Sequence, residues 1–567
     1  VDIKLTVNNR ETTFDSRISL LENLGNMGIE IPSLCYHKDL GSQNVCGICV
    51  VEINGELIKS CSTIPTEGMN VRTYTDEIIE KRKEILNEMM ETHPNDCLTC
   101  EKAKGDCDLQ NACYEYGVVN RDVELADTYD IDYSSAGMVR DMNKCILCEK
   151  CVAVCRDAQE IEVYEVVEKD GKREIVLKEG SNLSETKCIT CGQCVKVCPV
   201  GALTEKNHVV ELNQMLKKRE KHFIVQMAPA IKHTIGEEFF IAPGTDATSK
   251  MVIALKKLGF DRVFSTDYSA DVTIMEEGTE LLQRLTEGKG KIPMFTSCCP
   301  GWVNYLEQNY PQFIDNLSSC KSPQQIFGAL AKSYYSKEMN IPKEDIFVVS
   351  IMPCTAKKGE AEREQMPEDV DMVITTREFA KLVRMNRIDF AYLGDDVDYD
   401  SFMGKGSSAG RIFGTSGGVM EAALRTVSHV LTDGEFEKLE FTEIRGFDNV
   451  KETSVEVGEH KIKLAVVNGI SSAKVVLDAI ERGEAHYDFI EVMACHGGCI
   501  SGGGAPIPDN YDVRRRRMEG MYKFDTDSTL RKSHENSEVK ALYENYLKDP
   551  CGHKSHHLLH TTYSDKS

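Results

Sequence analysis

Twenty-three cysteines stand in this 567-residue chain, and sixteen of them precede residue 200 in tight groups. Thiolates so grouped hold soft metals and iron–sulfur clusters, while a reducing compartment disfavours disulfides. Cys145, Cys148, Cys151 and Cys155 read C-x2-C-x2-C-x3-C, and Cys188, Cys191, Cys194 and Cys198 repeat that spacing before Pro199. In paired runs of this kind the fourth cysteine of each run ligates the other run's cluster, so two neighbouring [4Fe-4S] clusters are expected. Arg156, where a proline would complete the first run, is a mild departure. Cys35, Cys46, Cys49 and Cys61 (C-x10-C-x2-C-x11-C) surround a glycine-bearing loop and suit one [2Fe-2S] cluster, with structural zinc as the alternative. His93, Cys97, Cys100 and Cys107 offer one imidazole and three thiolates, a set that fits either a third [4Fe-4S] cluster or zinc. Their position between two iron–sulfur modules favours the cluster, and Cys113 reads as a buried apolar thiol.

Five of the seven later cysteines fall in three loops, TSCCPGW at 296–302, MPCTAKKGE at 352–360 and EVMACHGGCISGGG at 491–504. Glycine and cysteine-proline loops allow close backbone approach, so Cys299, Cys354, Cys495 and Cys499 can surround one further cluster. Their alternative reading is buried free thiols, the reading given to Cys320. Cys551 lies alone among GHKSHHLLH, which reads as a C-terminal wrap at the surface rather than a metal site.

Positioning these groups requires several domains, three to five at this length. IKLTVNNRETTF reads as a hairpin turning at Asn8-Asn9, ISLLENLGNMGI as a helix, and VCGICVVEING as a cysteine loop running into a strand. IEVYEVVEKDGKREIVLK reads as a surface hairpin inserted between the paired cysteine runs. After residue 210 the pattern changes to strand, loop and helix in alternation, an α/β arrangement. FIVQMAPAIKHTIGEEF predicts a buried strand, a loop and a helix, and KIPMFTSCCP, EDIFVVSIMPC, VDMVITTREF and KIKLAVVNGI each open on a strand. Ligands in such folds gather beyond the strand carboxyl ends, where three of the loops carry cysteines. The formal charge of −24 argues against nucleic acid and anionic membranes as partners. No run of 18 apolar residues and no basic-then-apolar leader is seen, so no membrane span is expected and the cytoplasm is the expected compartment. GTSGG at 414–418 lacks the spacing of a nicotinamide-binding loop and reads as a tight turn near the core.

The three late loops resemble the signature segments of [FeFe]-hydrogenases, and the four upstream modules occur in that family in this order. The resemblance implies a multidomain α/β and α+β chain. A ubiquitin-like [2Fe-2S] ferredoxin domain spans 1–78, a [4Fe-4S] domain with one histidine and three cysteine ligands 79–137, and a bacterial-type two-[4Fe-4S] ferredoxin domain 138–210; a large α/β H-cluster domain spans 211–530 and a C-terminal wrap 531–567. It implies an H-cluster, a [4Fe-4S] cubane joined to a two-iron subsite bearing CO, CN and azadithiolate, held by Cys299, Cys354, Cys495 and Cys499, with Cys499 bridging the two parts.

On the same resemblance Cys298 is the proton-delivering thiol, and Glu280, Ser318 and Glu277 carry the proton outward in that order, with Arg284 as the surface partner. The spacing of Glu277 and Glu280 alone is equally that of a solvated acidic helix face. Lys357 corresponds to a lysine that contacts a cyanide. Ala228, Pro229, Ala230, Gln324, Met352 and Met493 correspond to the surrounding pocket, with Ala230 standing where many relatives have serine. The implied activity is reversible reduction of protons to hydrogen, with electrons relayed to or from ferredoxin. The segment 66–110 also resembles subunits that join NAD(P)-oxidising flavoproteins, and the two-iron unit requires maturation proteins. The first 200 residues resemble the electron-entry part of respiratory complex I as well, but that likeness leaves Cys298, Cys299 and the two later loops unexplained. A hydrogen sensor or iron–sulfur assembly protein is the non-catalytic alternative.

Overall fold

Asn8 and Asn9 both take left-handed backbone angles (φ 48° and 67°), the conformation a two-residue hairpin turn demands, and Asp2–Val7 pairs with Arg10–Asp15 across them. The helix Leu20–Asn26 follows, opened by a reciprocal Ser19/Glu22 capping box. Asn70–Arg72 joins the hairpin in parallel, and Val50–Ile53 and Glu56–Lys59 complete a five-stranded sheet. Leu5, Val7, Phe14, Leu20, Leu24, Val51, Ile53 and Val71 form its core. The cysteine loop therefore leaves a packed sheet and helix that fix its two ends. The computed structural model describes residues 2–103, 105–119, 128–169, 171–432, 434, 438–457 and 460–567.

Two units make up the chain, Val1–Thr186 with Gln193–Glu205, and Lys187–Gly192 with Lys206–Ser567. In the first, Arg82 on the helix Asp76–Met90 is buried and ties the sheet to the next module, donating to Val50 O and Tyr116 Oη at 2.7 Å each. Met138–Arg140 pairs antiparallel with Leu203–Glu205, and Tyr164–Lys169 pairs with Lys172–Leu177 as the inserted hairpin.

The second unit contains two four-stranded sheets. Arg262–Ser265, His222–Met227, Ile346–Met352 and Met372–Thr375 lie side by side and all parallel. Met294–Phe295, Phe489–Met493 and His460–Asn468 are parallel as well, with Val450–Val457 antiparallel at the edge. The strand Phe489–Met493 is buried along its whole length, and its one carboxylate, Glu491, accepts from the N–H groups of Gly417 and Met420 at 2.6 and 2.7 Å. The helix expected after Met227 is replaced by two short 3-10 turns, Ala230–His233 and Ile235–Phe239. These turns bury Lys232, whose ammonium meets Asp267 at 2.8 Å, and bring Glu237 to Arg517 at 2.6 Å, pairings that outweigh helical propensity. GTSGG does form the expected tight turn: Gly417 is left-handed (φ 92°), and a Cβ on Gly418 would collide with Ile412 O. No helix among the described residues is long and apolar enough to cross a membrane.

Candidate metal centre and its acid–base chain

The carboxyl ends of strands from both sheets of the second unit open on one cavity. Ala228, Pro229 and Ala230 follow His222–Met227, and Cys298 and Cys299 follow Met294–Phe295. Met352 and Cys354 end Ile346–Met352, while Met493, Cys495 and Cys499 end Phe489–Met493; all line the same cavity, with Gln324 and Lys357. Four cysteines separated by up to 200 residues of chain are thus mutual neighbours. The thiol of Cys354 is pushed up by burial and then by the charges of Cys495, Cys299 and Cys499, and that of Cys499 is raised to about 12. Cys298, Cys299, Cys354 and Cys499 keep some accessible surface, and that surface is cavity wall.

These residues fit a bound iron–sulfur group. Buried thiols held protonated by their surroundings ionise readily only onto a cation. Gln324 Oε1 is buried without a partner among the described residues, although its Nε2 donates to Lys357 O and Glu360 Oε2 at 3.1 and 3.0 Å. Glycines keep the walls thin: a Cβ on Gly502 would collide with Pro353 O, and one on Gly498 would come within 2.7 Å of Ser416 N.

Lys357 places its ammonium 3.0 Å from Cys298 O and 2.8 Å from Glu360 Oε2. Burial works against that charge, but Glu360 outweighs it and the lysine's pKa is raised. Glu360 also accepts from Ser322 Oγ at 2.8 Å, so it fixes both Lys357 and Gln324 from behind. Sequence reasoning missed Glu360, although its three-residue spacing from Lys357 on a helix was the available signal. Glu360→Gln would leave a buried ammonium without its anion, at a cost of about 3–5 kcal/mol. A lowered unfolding midpoint, measured against the parent by thermal denaturation, is the expected result.

Behind Cys298 runs a chain of polar side chains on the helix Thr266–Glu287 and the loop after Asn316. Glu277 is buried, and burial and then the charge of Glu280 raise its carboxyl to about 8, opposed by a hydrogen bond from Ser318. Ser318 Oγ donates to Glu280 Oε2 at 2.8 Å, and Arg284 Nη2 donates to Glu280 Oε1 at 2.6 Å. The expected order is therefore reversed. The carboxylate whose charge bears on Cys298 is that of Glu277, while Glu280 lies at the far end beside Arg284. Two residues three apart share a helix face, but depth along it depends on how the helix enters the core. Arg284 is itself no surface partner: it is buried, and donates to the carbonyls of Lys291, Asn316 and Leu317.

Three of the upstream groups also assemble within the first unit. Cys35, Cys46, Cys49 and Cys61 are all buried, with Cys46 N–H donating to Cys35 Sγ at 3.4 Å and Ser42 Oγ to Cys61 Sγ at 3.0 Å. His93 is buried with an Nδ1 that has no partner among the described residues, and the thiols of Cys97 and Cys107 each feel the charge of Cys100. Cys107 caps the helix Asp108–Glu115, and Cys113 on that helix is buried within range of both Cys97 and Cys107, so its surroundings match those of its neighbours. Cys145, Cys148 and Cys151 line one cavity with Cys198, the fourth cysteine of the other run. Cys155 and Cys194 are buried, with Cys155 Sγ accepting from Val163 N–H at 3.4 Å. Cys188 and Cys191 belong to the segment that folds with the second unit, where Thr355 Oγ1 donates to Thr190 O at 2.6 Å and a Cβ on Gly503 would collide with Cys191 O. The loops of Cys354 and Cys499 are thereby packed against the start of that cysteine run.

Cys320 is the packed thiol expected of it. The C-terminal segment is less superficial than expected: His560 is buried, and Cys551 donates through its backbone N–H to Glu276 at 2.6 Å.

The description "Iron only hydrogenase large subunit, C-terminal domain" matches residues 221–503, and "Iron hydrogenase small subunit" matches 511–566. Residues 1–76 match a 2Fe-2S iron–sulfur cluster binding domain, 82–122 the NADH-ubiquinone oxidoreductase-G iron–sulfur binding region, and 144–202 a 4Fe-4S dicluster domain. The NADP-reducing hydrogenase subunit HndD of Solidesulfovibrio fructosivorans is 41% identical over 99% of this chain and 98% of its own. Iron hydrogenase 1 of Clostridium pasteurianum is 40% identical over 99% of each. A variant of apo [FeFe]-hydrogenase HydA1 from Chlamydomonas reinhardtii superposes with a TM-score of 0.57 at 40% identity, over 64% of this chain and 99% of that one.

Proposed function

This chain belongs to the iron-only hydrogenase family, and on that premise we propose that it interconverts protons and molecular hydrogen through the cavity-lining residues described above. The convergence of Cys299, Cys354, Cys495 and Cys499 on one buried cavity beside Cys298 and Lys357 is the observation that carries the reading. These four cysteines would hold the H-cluster, with Cys499 bridging its two parts. When bound, that group supplies the iron at which hydrogen is formed or split.

The protein's own part is positioning and proton movement. The Lys357 ammonium, held by Glu360, would offer charge to an anionic cyanide ligand of that group. Ala228, Pro229, Met352 and Met493 give the cavity apolar walls, and Gln324 Oε1 is a free acceptor within them. Cys298 gives and takes the proton, Glu277 exchanges it with Cys298, and the Ser318 hydroxyl passes it to Glu280. The retained acid–base set favours an enzyme over a sensor or assembly protein. Hydrogen turnover by the maturated protein, together with infrared bands of iron-bound carbon monoxide and cyanide, tests this; bands without turnover would instead identify a sensor.

One [2Fe-2S] and three accessory [4Fe-4S] clusters would carry electrons between the cavity and a separate redox protein. Ferredoxin suits that role. The near full-length likeness to a protein named as a subunit of an NADP-reducing hydrogenase supports a multisubunit setting with flavoprotein partners. Affinity purification from the source cells separates the two, since flavin-containing subunits recovered in fixed ratio would select the second.

A further inference from the structure

The hairpin inserted between the paired cysteine runs buries almost nothing of its own. Along the strands Tyr164–Lys169 and Lys172–Leu177 only Tyr164 and Ile175 are buried. Its base is different, because there the chain turns back onto Cys155. Ile161 N–H donates to Cys155 O at 3.0 Å, and Val163 N–H donates to Cys155 Sγ at 3.4 Å. Burial pushes that thiol up, and the N–H groups of Val163, Glu162 and Tyr164 oppose the shift. Glu160 and Glu162 take left-handed angles (φ 50° and 55°) to make this return, a conformation uncommon outside glycine. Tyr164 is buried, and its hydroxyl lies 3.6 Å from Cys194 Sγ. Its ring lines the cavity shared by Cys145, Cys148, Cys151 and Cys198. Three consecutive residues thus bear on one thiol from each cysteine run, and on the paired-run reading Cys155 and Cys194 serve the same [4Fe-4S] cluster.

We propose that Tyr164 sets the reduction potential of that cluster, its hydroxyl donating to the Cys194 sulfur while the turn before it directs backbone N–H groups at the Cys155 sulfur. These donors fit a bound cluster better than free thiols. A neutral thiol is a weak acceptor and can itself donate, so in the Tyr164–Cys194 pair either atom could carry the bond. A thiolate on iron has no proton left, and the hydroxyl must then be the donor. Successive N–H groups from a turn with left-handed residues likewise form a concavity that favours negative charge. Hydrogen bonds to cluster sulfurs stabilise the reduced, more negative form and so raise the potential. A relay tuned in this way takes up an electron more readily and releases it less readily. The electron is the one carried by the proposed relay, and the hydroxyl proton stays on the tyrosine throughout.

The competing reading is that Tyr164 merely fills space, since its ring packs beside Ile175 in the cavity wall. Two observations weigh against it. A phenylalanine would fill that wall equally well, yet the hydroxyl is placed on a cysteine sulfur. The turn that delivers the tyrosine holds two glutamates in left-handed angles, and the same turn brings Val163 N–H to the second sulfur.

The inference rests on the accessory clusters proposed above, and the test separates the two. In the full chain with its clusters loaded, the electron paramagnetic resonance of the reduced clusters is followed against applied potential, beside the iron content. Tyr164→Phe keeps the ring and removes only the hydroxyl. One [4Fe-4S] signal is expected to titrate at a lower potential, its electron equilibrium shifted roughly threefold to tenfold (~59 mV at tenfold for one electron), with the other signals and the iron content unchanged. Tyr164→fluorotyrosine, a stronger hydrogen-bond donor of nearly the same shape, is expected to move the same signal upward. Identical midpoints in the parent and Tyr164→Phe would overturn the proposal. So would a downward shift in both variants, which marks lost packing, or a loss of iron in Tyr164→Phe, which marks a structural role. A parent chain that holds no [4Fe-4S] clusters would overturn the ligand reading itself, and the tuning with it.

Discussion

Cys298→Ser is expected to cut hydrogen turnover by roughly a hundredfold or more while leaving every cluster in place. The geometry separates this thiol from its neighbour in sequence. Cys299 caps the helix Pro300–Asn309, and its Sγ accepts from Ala494 N–H at 3.5 Å, within the group formed with Cys354, Cys495 and Cys499. Cys298 instead feels the charge of Glu277 after the effect of burial, and so stands between the cavity and the polar chain. Serine keeps the approximate size and supplies a hydrogen-bonding hydroxyl, but an alcohol is a far weaker acid than a thiol and so a far poorer terminal proton donor at neutral pH. Turnover assayed with a chemical electron donor, beside infrared spectra of the same preparation, reads both halves of the expectation. A variant that retained a substantial fraction of the parental rate would remove Cys298 from the path; lost infrared bands would make it a ligand.

How much of this was legible in the chain depended on how local each signal was. The cysteine runs at 145–155 and 188–198 were readable because a cluster imposes short, fixed spacings on its ligands. The hairpin at Asn8-Asn9 was readable because its turn needs residues that tolerate left-handed angles. The three late loops were legible as strand ends, and their meeting at one cavity follows from parallel sheets that place all carboxyl ends on one side. What failed was whatever depended on depth or on long-range pairing. Periodicity put Glu277 and Glu280 on one face but carried nothing about which end of that face enters the core. The turns at Ala230–His233 and Ile235–Phe239 were set by partners at Asp267 and Arg517, far along the chain. His560 meets Ser319 across a sequence separation of 241, and no pattern within either segment announces it.

The catalytic unit thus combines two kinds of order. The cysteines proposed as its ligands sit on loops whose glycines leave no room for a Cβ, as at Gly502 against Pro353 and Gly503 against Cys191, so their backbones are fixed by contact. The two carboxylates of the proposed proton path sit on a 22-residue helix, and Glu280 is fixed by hydrogen bonds that a proton can use in either direction. The first arrangement tolerates little substitution of any kind, whereas the second depends on functional groups that exchange protons and is separable from folding.

That separation is sharpest at Glu277, where Glu277→Gln is expected to lower turnover by roughly a hundredfold while making the folded protein more stable at alkaline pH. An amide fills the same space but neither gains nor loses a proton near neutrality, so the link between Cys298 and Ser318 is cut. The stability effect has the opposite sign. Burial and then the Glu280 charge raise this carboxyl from 4.5 to about 8, so the folded protein keeps a proton that the unfolded chain releases. Folding is therefore least opposed below the ordinary carboxyl value. The parent loses stability as pH rises from about 4.5 towards 8, and the loss levels off above that. At about 1.4 kcal/mol per pH unit the full difference is on the order of 5 kcal/mol, and glutamine does not incur it. Parent and variant unfolding midpoints compared between pH 5 and pH 8.5 should accordingly diverge, with the variant's advantage growing as pH increases and flattening near the top of the range. An advantage independent of pH would mean that Glu277 is already ionised in the folded state, and its place as the inner proton carrier would then lose its physical basis.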